Sequence, residues 1–331
     1  MTRTRCRHPV GALSTRPAPG GRRVLCVVAA LFVSASCGQV PQDDPPPVVD
    51  GPLEYLPPFV RTVADVGFST PESVLHDTDA DVYLVANING PSAEKDGNGF
   101  ISRVSPEGEV LELRWIDGTQ PGVTLNAPKG MAIVADTLFV TDIDCVRRFH
   151  RVTGEPIRED LCLEHASFLN DLVATDEGNL YFSDSGTDQS PGAVYLLRHT
   201  ADVPNEVVLT DGTMLKGEEL GGPNGVFADS RGLYVATFDS GELFRVTPGG
   251  ERLQLLPPSD MQLDGIISLA DQGFLISSWG DSTVYWIHSD GTVSPLIENL
   301  DAPADIGYDA FRNRVLIPLF RRDELILREV R

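Results

Sequence analysis

The chain has 331 residues, 26 Lys plus Arg against 48 Asp plus Glu, a net charge of −22 and 41% hydrophobic residues. That length supports a well-buried core, and the composition is ordinary for a globular protein, which counts against wholesale disorder and against a polytopic membrane protein. The acidic balance also counts against a nucleic-acid binder, because neutralising phosphates needs clustered Lys and Arg.

The charge is unevenly placed. Residues 1–37 hold six arginines and no acid, so the other 294 residues carry 20 basic and 48 acidic groups, a net of −28. Arg22-Arg23 precedes a short apolar run from Val24 to Val33, followed by Ser34-Ala35-Ser36-Cys37. A basic stretch, a short apolar stretch and small residues before a cut make residues 1–36 a secretory signal, too short to span a bilayer comfortably. The cysteine after the cut resembles the lipidation site of a bacterial lipoprotein, although Ser34 stands where Leu or Val is usual. Lipidation of Cys37 is the first reading, plain secretion the second, and a misread start on a cytoplasmic protein the third. Export places the protein in the periplasm or cell envelope, with membrane contact only through that anchor. Residues 37–58 are Pro-rich and lack helix or strand pattern, so they read as a semi-extended tether.

From residue 59 onward the chain repeats. Short alternating runs recur at Tyr83 (YLVA), Leu138 (LFVTD), Tyr181 (YFSD), Leu233 (LYVAT), Phe274 (FLISS) and Val315 (VLIPL), each after a polar turn. A short apolar segment precedes each run and a second strand follows it, often with a Gly-containing turn leading to a third. Four antiparallel strands per unit, six units and a spacing of about 40 residues predict an all-β, six-bladed β-propeller over residues 59–331. The last unit stops one strand short, and an unpaired strand stands at Phe59. The N-terminal strand is therefore expected to complete the sixth blade and remove an open edge. A monomer is expected.

Within blade two, Cys145 and Cys162 flank the turn signal Thr153-Gly154. In an oxidising compartment, a two-residue turn there sets the cysteines opposite each other at a non-hydrogen-bonded pair, close enough for a disulfide. Two buried thiols, with a bulge at Gly154 spoiling the register, are the equal alternative.

Aligning the units on their first strands puts one polar residue at the same place in each: Glu72, Lys129, Asn170, Asn224, Asp264 and Asp305. First strands line a propeller's central channel, so these six are expected to converge on the axis. Glu72, Asn170, Asn224 and Asp264 offer carboxylate and amide oxygens without sulfur or imidazole. This hard set suits Ca²⁺ first, with Mg²⁺, Mn²⁺ or Zn²⁺ as alternatives.

On the stretches Pro71-Glu72-Ser73, Phe168-Leu169-Asn170-Asp171, Gly222-Pro223-Asn224-Gly225 and Leu263-Asp264-Gly265, residues 59–331 resemble the SMP-30/gluconolactonase/LRE-like family of calcium-dependent lactonases. The resemblance implies Glu72, Asn224 and Asp264 as metal ligands, Asn170 beside metal and substrate, and Asp264 as general base. Pro-Glu-Ser departs from the family's usual first motif, and an axial lysine is not expected in it. Lys129 is assigned to a substrate carboxylate or oxyanion, Asp305 to Lys129 or a substrate hydroxyl, and Trp279 to stacking on a ring substrate. The expected function is metal-dependent hydrolysis of a small lactone or ester. The alternative is a non-catalytic binding module whose axial ion is structural. His165 reads as a surface loop residue, and Asp77, Asp79 and Asp81 as a solvated turn.

Overall fold

The second strand of each repeat has an apolar centre and is buried along nearly its whole length, as in Val82–Asn87 and Gly273–Ser278, where every residue is buried. A strand apolar on both sides must be covered on both sides. The computed structural model, which describes residues 57–157, 159–199, 207–208 and 213–331, meets that demand by standing six sheets face to face around an axis. Residues 1–56 lie outside the described residues, and with them the signal segment, Cys37 and most of the tether.

Five blades run outward in chain order. Blade one comprises Pro71–Asp77, Val82–Asn87, Phe100–Val104 and Val110–Asp117, and blade two Pro128–Val134, Thr137–Asp142, Cys145–His150 and Leu161–Cys162. Blade three comprises Leu169–Ala174, Leu180–Asp184 and Ala193–His199, with two short outer segments, Val207–Val208 and Thr213–Lys216, both paired to its third strand. Blades four and five begin at Pro223–Asp229 and Leu263–Ser268. Blade six comprises Gly307–Asp309, Arg314–Leu319 and Glu324–Glu329, and its outer strand is Val60–Val63 from the other end of the described chain. That strand pairs antiparallel with Glu324–Glu329, Val60 opposite Arg328 and Val63 opposite Leu325. The Phe59 N–H donates to Glu329 Oε2 at 3.0 Å, and the Arg314 guanidinium lies over the Phe59 ring at 3.6 Å.

The apolar core is divided by blade interface. One cluster joins blades one and two through Leu84, Ile101, Leu138 and Phe149, and another joins blades six and one through Val63, Val85, Leu316 and Leu327. Equivalent clusters fill the other four interfaces. No blade buries its faces alone.

The expected turn at Thr153-Gly154 is longer than two residues. Gly154, in the left-handed region at φ 73°, donates its N–H to His150 O at 2.8 Å, and the ladder starts at Phe149 opposite Pro156. The register then shifts by two residues before Val146 meets Leu161 and Cys145 meets Cys162. The two cysteines, 4.0 Å apart at Cα, are joined as a disulfide. It ties the blade's two-residue outer strand to its buried third strand. Closing a loop across a sequence separation of 17 should contribute about 3 kcal/mol. The double substitution Cys145→Ala, Cys162→Ala is expected to lose that amount in urea unfolding, and a loss below about 0.5 kcal/mol would contradict it.

Candidate functional site

Each first strand reaches the axis with the same irregularity. Against its second strand it carries one extra residue, between Pro71 and Ser73, Pro128 and Met131, Leu169 and Leu172, Pro223 and Val226, and Leu263 and Ile266. A bulge releases a residue from the ladder and re-aims it. Glu72, Lys129, Asn170, Asn224 and Asp264 all sit in these bulges, and all five are at most 5% exposed. The backbones of four of them, and of Ala304 in blade six, are fixed by hydrogen bonds between blades. The hydroxyls of Ser73, Thr141, Ser183 and Ser277 donate to the carbonyls of Lys129, Asn170, Asn224 and Ala304. The Asp305 N–H donates to Glu72 O at 2.9 Å, joining blades six and one in the same way.

The sixth position belongs to Ala304, not to Asp305. Pro303 bridges Leu319 as Pro128 pairs with Asp142, and this register sets Asp305 one residue further along, level with Ser73, Gly130, Asp171, Gly225 and Gly265. Blades three and six face each other across the axis, so the side chains of Asp171 and Asp305 meet there and each shifts the other's proton affinity. Asp305 is thus paired with an acid rather than with Lys129. Glycine makes the meeting possible: a Cβ on Gly265 would stand 2.5 Å from Asp305 Oδ1, and one on Gly130 would stand 2.8 Å from Asp171 Oδ1. Asp171 also accepts the N–H groups of Leu172 and Val226 at 2.6 and 2.7 Å. The motif Leu169-Asn170-Asp171 carried both axial residues of blade three, and only Asn170 was singled out from the sequence.

The two levels open on different cavities. Glu72, Lys129, Asn170, Asn224 and Asp264 line a cavity of about 260 Å³ walled by Ile88, Phe168, Phe238, Trp279 and Phe320. Asp171 and Asp305 line another, of about 450 Å³, together with the apolar residues one step further along each first strand, such as Val74, Leu172 and Ile306. In the first cavity four buried oxygens have no hydrogen-bond partner: Glu72 Oε2, Asn170 Oδ1, Asn224 Oδ1 and Asp264 Oδ1. Buried polar atoms are rarely left so. The other amide group of Asn170 is spoken for, its Nδ2 donating to Ser185 Oγ at 3.1 Å, which leaves Oδ1 for the cavity.

Charge at this depth is costly. Burial raises the Asp264 carboxyl to about 8, with the Asp171 charge adding to the rise and the nearby Trp279 indole N–H opposing it without closing a regular hydrogen bond. Burial likewise raises Asp171 to about 7, against the N–H groups of Val226 and Leu172, and it pushes Glu72 and Asp305 well above the carboxylate range, where acidic neighbours add to the rise of these two. Lys129 is held down to about 8 by burial, against the pull of Glu72, Asp142 and Asp184. Its ammonium donates to Ser92 O and Ala127 O at 3.0 and 3.1 Å and lies 4.4 Å from the Phe168 ring centre, so two of its three N–H groups are spent on backbone. Trp279 packs edge-on against Phe238 and tilted against Phe320 in the cavity wall. His165 is exposed in the loop entering blade three.

Among the described residues no three His, Cys, Asp or Glu side chains form a metal-holding group. The axial set reaches four donors only because two amides stand beside two carboxylates, a mixture usual for calcium.

No protein-family model matches the chain, and no curated protein matches it. Solved structures do. A gluconolactonase from Xanthomonas campestris is 17% identical, with 83% of this chain covering 90% of that one at a TM-score of 0.61. Virginiamycin B lyase from Staphylococcus aureus is 14% identical, with 83% covering 100% at a TM-score of 0.56. At these identities the likeness is one of fold.

Acids whose folded pKa is raised bind protons more tightly in the native state, so their contribution is complete below the unfolded value of about 4 and is lost as pH rises toward 8. Lys129, lowered to about 8, is a constant cost below that pH and adds pH dependence only above it, where its cost is relieved. In chelator, the melting temperature is therefore expected to fall steadily from pH 5 to pH 8, and millimolar Ca²⁺ should remove most of the fall. A flat profile in chelator would show that these acids are not strained in the folded protein.

Proposed function

We propose that the chain is a hydrolase of lactones or related esters that holds a divalent cation, Ca²⁺ by preference, on Glu72, Asn170, Asn224 and Asp264. The observation that carries the proposal is the convergence of four partnerless buried oxygens, all hard donors, on one small cavity that opens to a mouth. Two carboxylates balance the charge of the ion, and the ion in turn favours their ionised form, opposing the rise that burial imposes. When bound, such an ion supplies Lewis-acid polarisation of the ester carbonyl and offsets the charge of the oxyanion.

The chain's own residues do the rest. Asp264 accepts the proton of the water that adds to the carbonyl carbon and returns it to the alkoxide released as the ring opens, leaving a hydroxy acid. Asn170 and Asn224 are pinned by inter-blade bonds at their carbonyls, which orients their amides without reorganisation. Lys129 keeps one N–H for the substrate oxygen. The aromatic wall holds the substrate over the axial oxygens and excludes bulk water. A cavity that reaches the axial oxygens supports an enzyme over the alternative of a binding module with a structural ion, for which a channel capped by side chains is expected.

Two experiments test the reading. Calorimetric titration of Ca²⁺ into chelated protein should show one site, weakened about tenfold or more in Asn224→Ala. Asp264→Asn should lower kcat/KM on a responsive lactone by about 10²- to 10⁴-fold; undiminished turnover would remove Asp264 from the chemistry. Export and lipidation of Cys37 belong to the same proposal. A diacylglycerol mass increment on the Cys37 peptide, lost under a signal-peptidase inhibitor specific for lipoproteins, is the expected result.

A further inference from the structure

Above the axial level the blades contribute a second set of equivalent residues, the one that follows each second strand: Ile88, Ile143, Ser185, Phe238, Trp279 and Phe320. In five blades its N–H donates to a carbonyl of the loop entering the same blade. Ile88 binds Thr70 O at 3.1 Å, Ser185 binds Phe168 O at 2.9 Å, Phe238 binds Gly222 O at 2.8 Å, Trp279 binds Gln262 O at 3.1 Å and Phe320 binds Ala302 O at 3.0 Å. The blade repeat itself, rather than a loop of free course, therefore aims these side chains at the cavity.

Five of the six are apolar. Ile88, Phe238, Trp279 and Phe320 line the cavity directly, with Phe168 beside them, and Ile143 packs behind against Ile88 and Ala127. Phe238, Trp279 and Phe320 form one arc, with successive ring centres 5.4 and 5.0 Å apart. The one serine has no hydroxyl to spare, since Ser185 Oγ donates to Pro223 O at 2.7 Å and accepts from Asn170 Nδ2. One N–H of Lys129 and the unpaired indole N–H of Trp279 remain among the rings, and Ser92 and the exposed Asp239 are the further polar side chains of the lining. Two donors serve one ester group. The hydroxyls of a polyol would be buried against rings, and each unpaired hydroxyl lowers affinity about tenfold or more. An organic cation, the other guest of aromatic walls, would meet the charges already over them: Lys129 on Phe168 and Arg321 on Trp279 at 5.2 Å.

We infer that this site takes an uncharged lactone or ester whose non-reacting part is an alkyl or aryl group, and discriminates against polyhydroxylated sugar lactones; the inference rests on the hydrolase reading above. Turnover by the Ca²⁺-loaded protein is measured on a pentyl-substituted δ-lactone and on gluconolactone. The expected result is a preference of about 100-fold or more in kcat/KM for the alkyl substrate, reduced at least tenfold in Phe238→Asn. A preference for gluconolactone overturns the substrate class while leaving the hydrolase reading in place. If neither is hydrolysed, the hydrolase reading falls, and the class is read by calorimetry with unreactive lactams. A pentyl δ-lactam binding at least tenfold tighter than gluconolactam supports the apolar site, equal or reversed affinities overturn it, and tightest binding of a tetraalkylammonium ion would assign the wall to a cation instead.

Discussion

The structure depends on ring closure. Every blade is a sheet whose two faces are covered only by its neighbours, so an open chain of six would leave two apolar faces and two sheet edges in water. The pairing of Val60–Val63 with Glu324–Glu329 prevents this by making the two ends of the propeller one sheet. Val63, Leu325 and Leu327 are buried in the interface that results, against Val74 and Val85 of blade one. Once the ring is closed, six first strands must stand around a common axis, and residues more than two hundred positions apart become neighbours.

The axis is where this arrangement is costly and where it becomes useful. Four carboxyls and an ammonium lie within or against a low-dielectric channel, and the carboxyls respond by holding their protons to higher pH. The two levels handle this differently. Asp171 and Asp305 lie side by side, Asp171 held by two backbone N–H groups and both given room by glycines. Glu72 and Asp264, with two amides, leave four oxygens unpaired in a cavity. A buried group that has found a partner stabilises the fold, whereas one that has not is a donor in search of a ligand. The same strand irregularity serves both levels, since the bulge that turns one residue toward the cavity brings its successor to the level beneath.

The blade count, the four-strand unit and the N-terminal closure were legible because each strand announces itself by local alternation and each turn by local chemistry. Five of the six axial residues were legible for the same reason, as each is the second residue of a first strand that a recognisable second strand follows. Asp305 was misplaced by one residue. In Pro303-Ala304-Asp305 an acid follows a small residue, in Leu263-Asp264-Gly265 it precedes one, and alternation alone does not say which residue the bulge turns out. Asp171 was passed over beside Asn170 because adjacent residues in an ordinary strand point apart. The hairpin in blade two reached the right cysteine pairing by a longer turn and a compensating register shift, which a count of residues from a two-residue turn does not contain.

What the sequence determined by itself was therefore the set of repeating elements, their order and the chemical types available on the axis, all of which follow from short-range periodicity and turn preference. The tertiary structure alone decided which acids pair and which stay open, that Ala304 completes the upper ring, and that the residues after the second strands form an apolar wall over it. Those outcomes depend on one-residue bulges and on contacts across the ring, where the partners are set by closure of the whole propeller rather than by any segment of the chain.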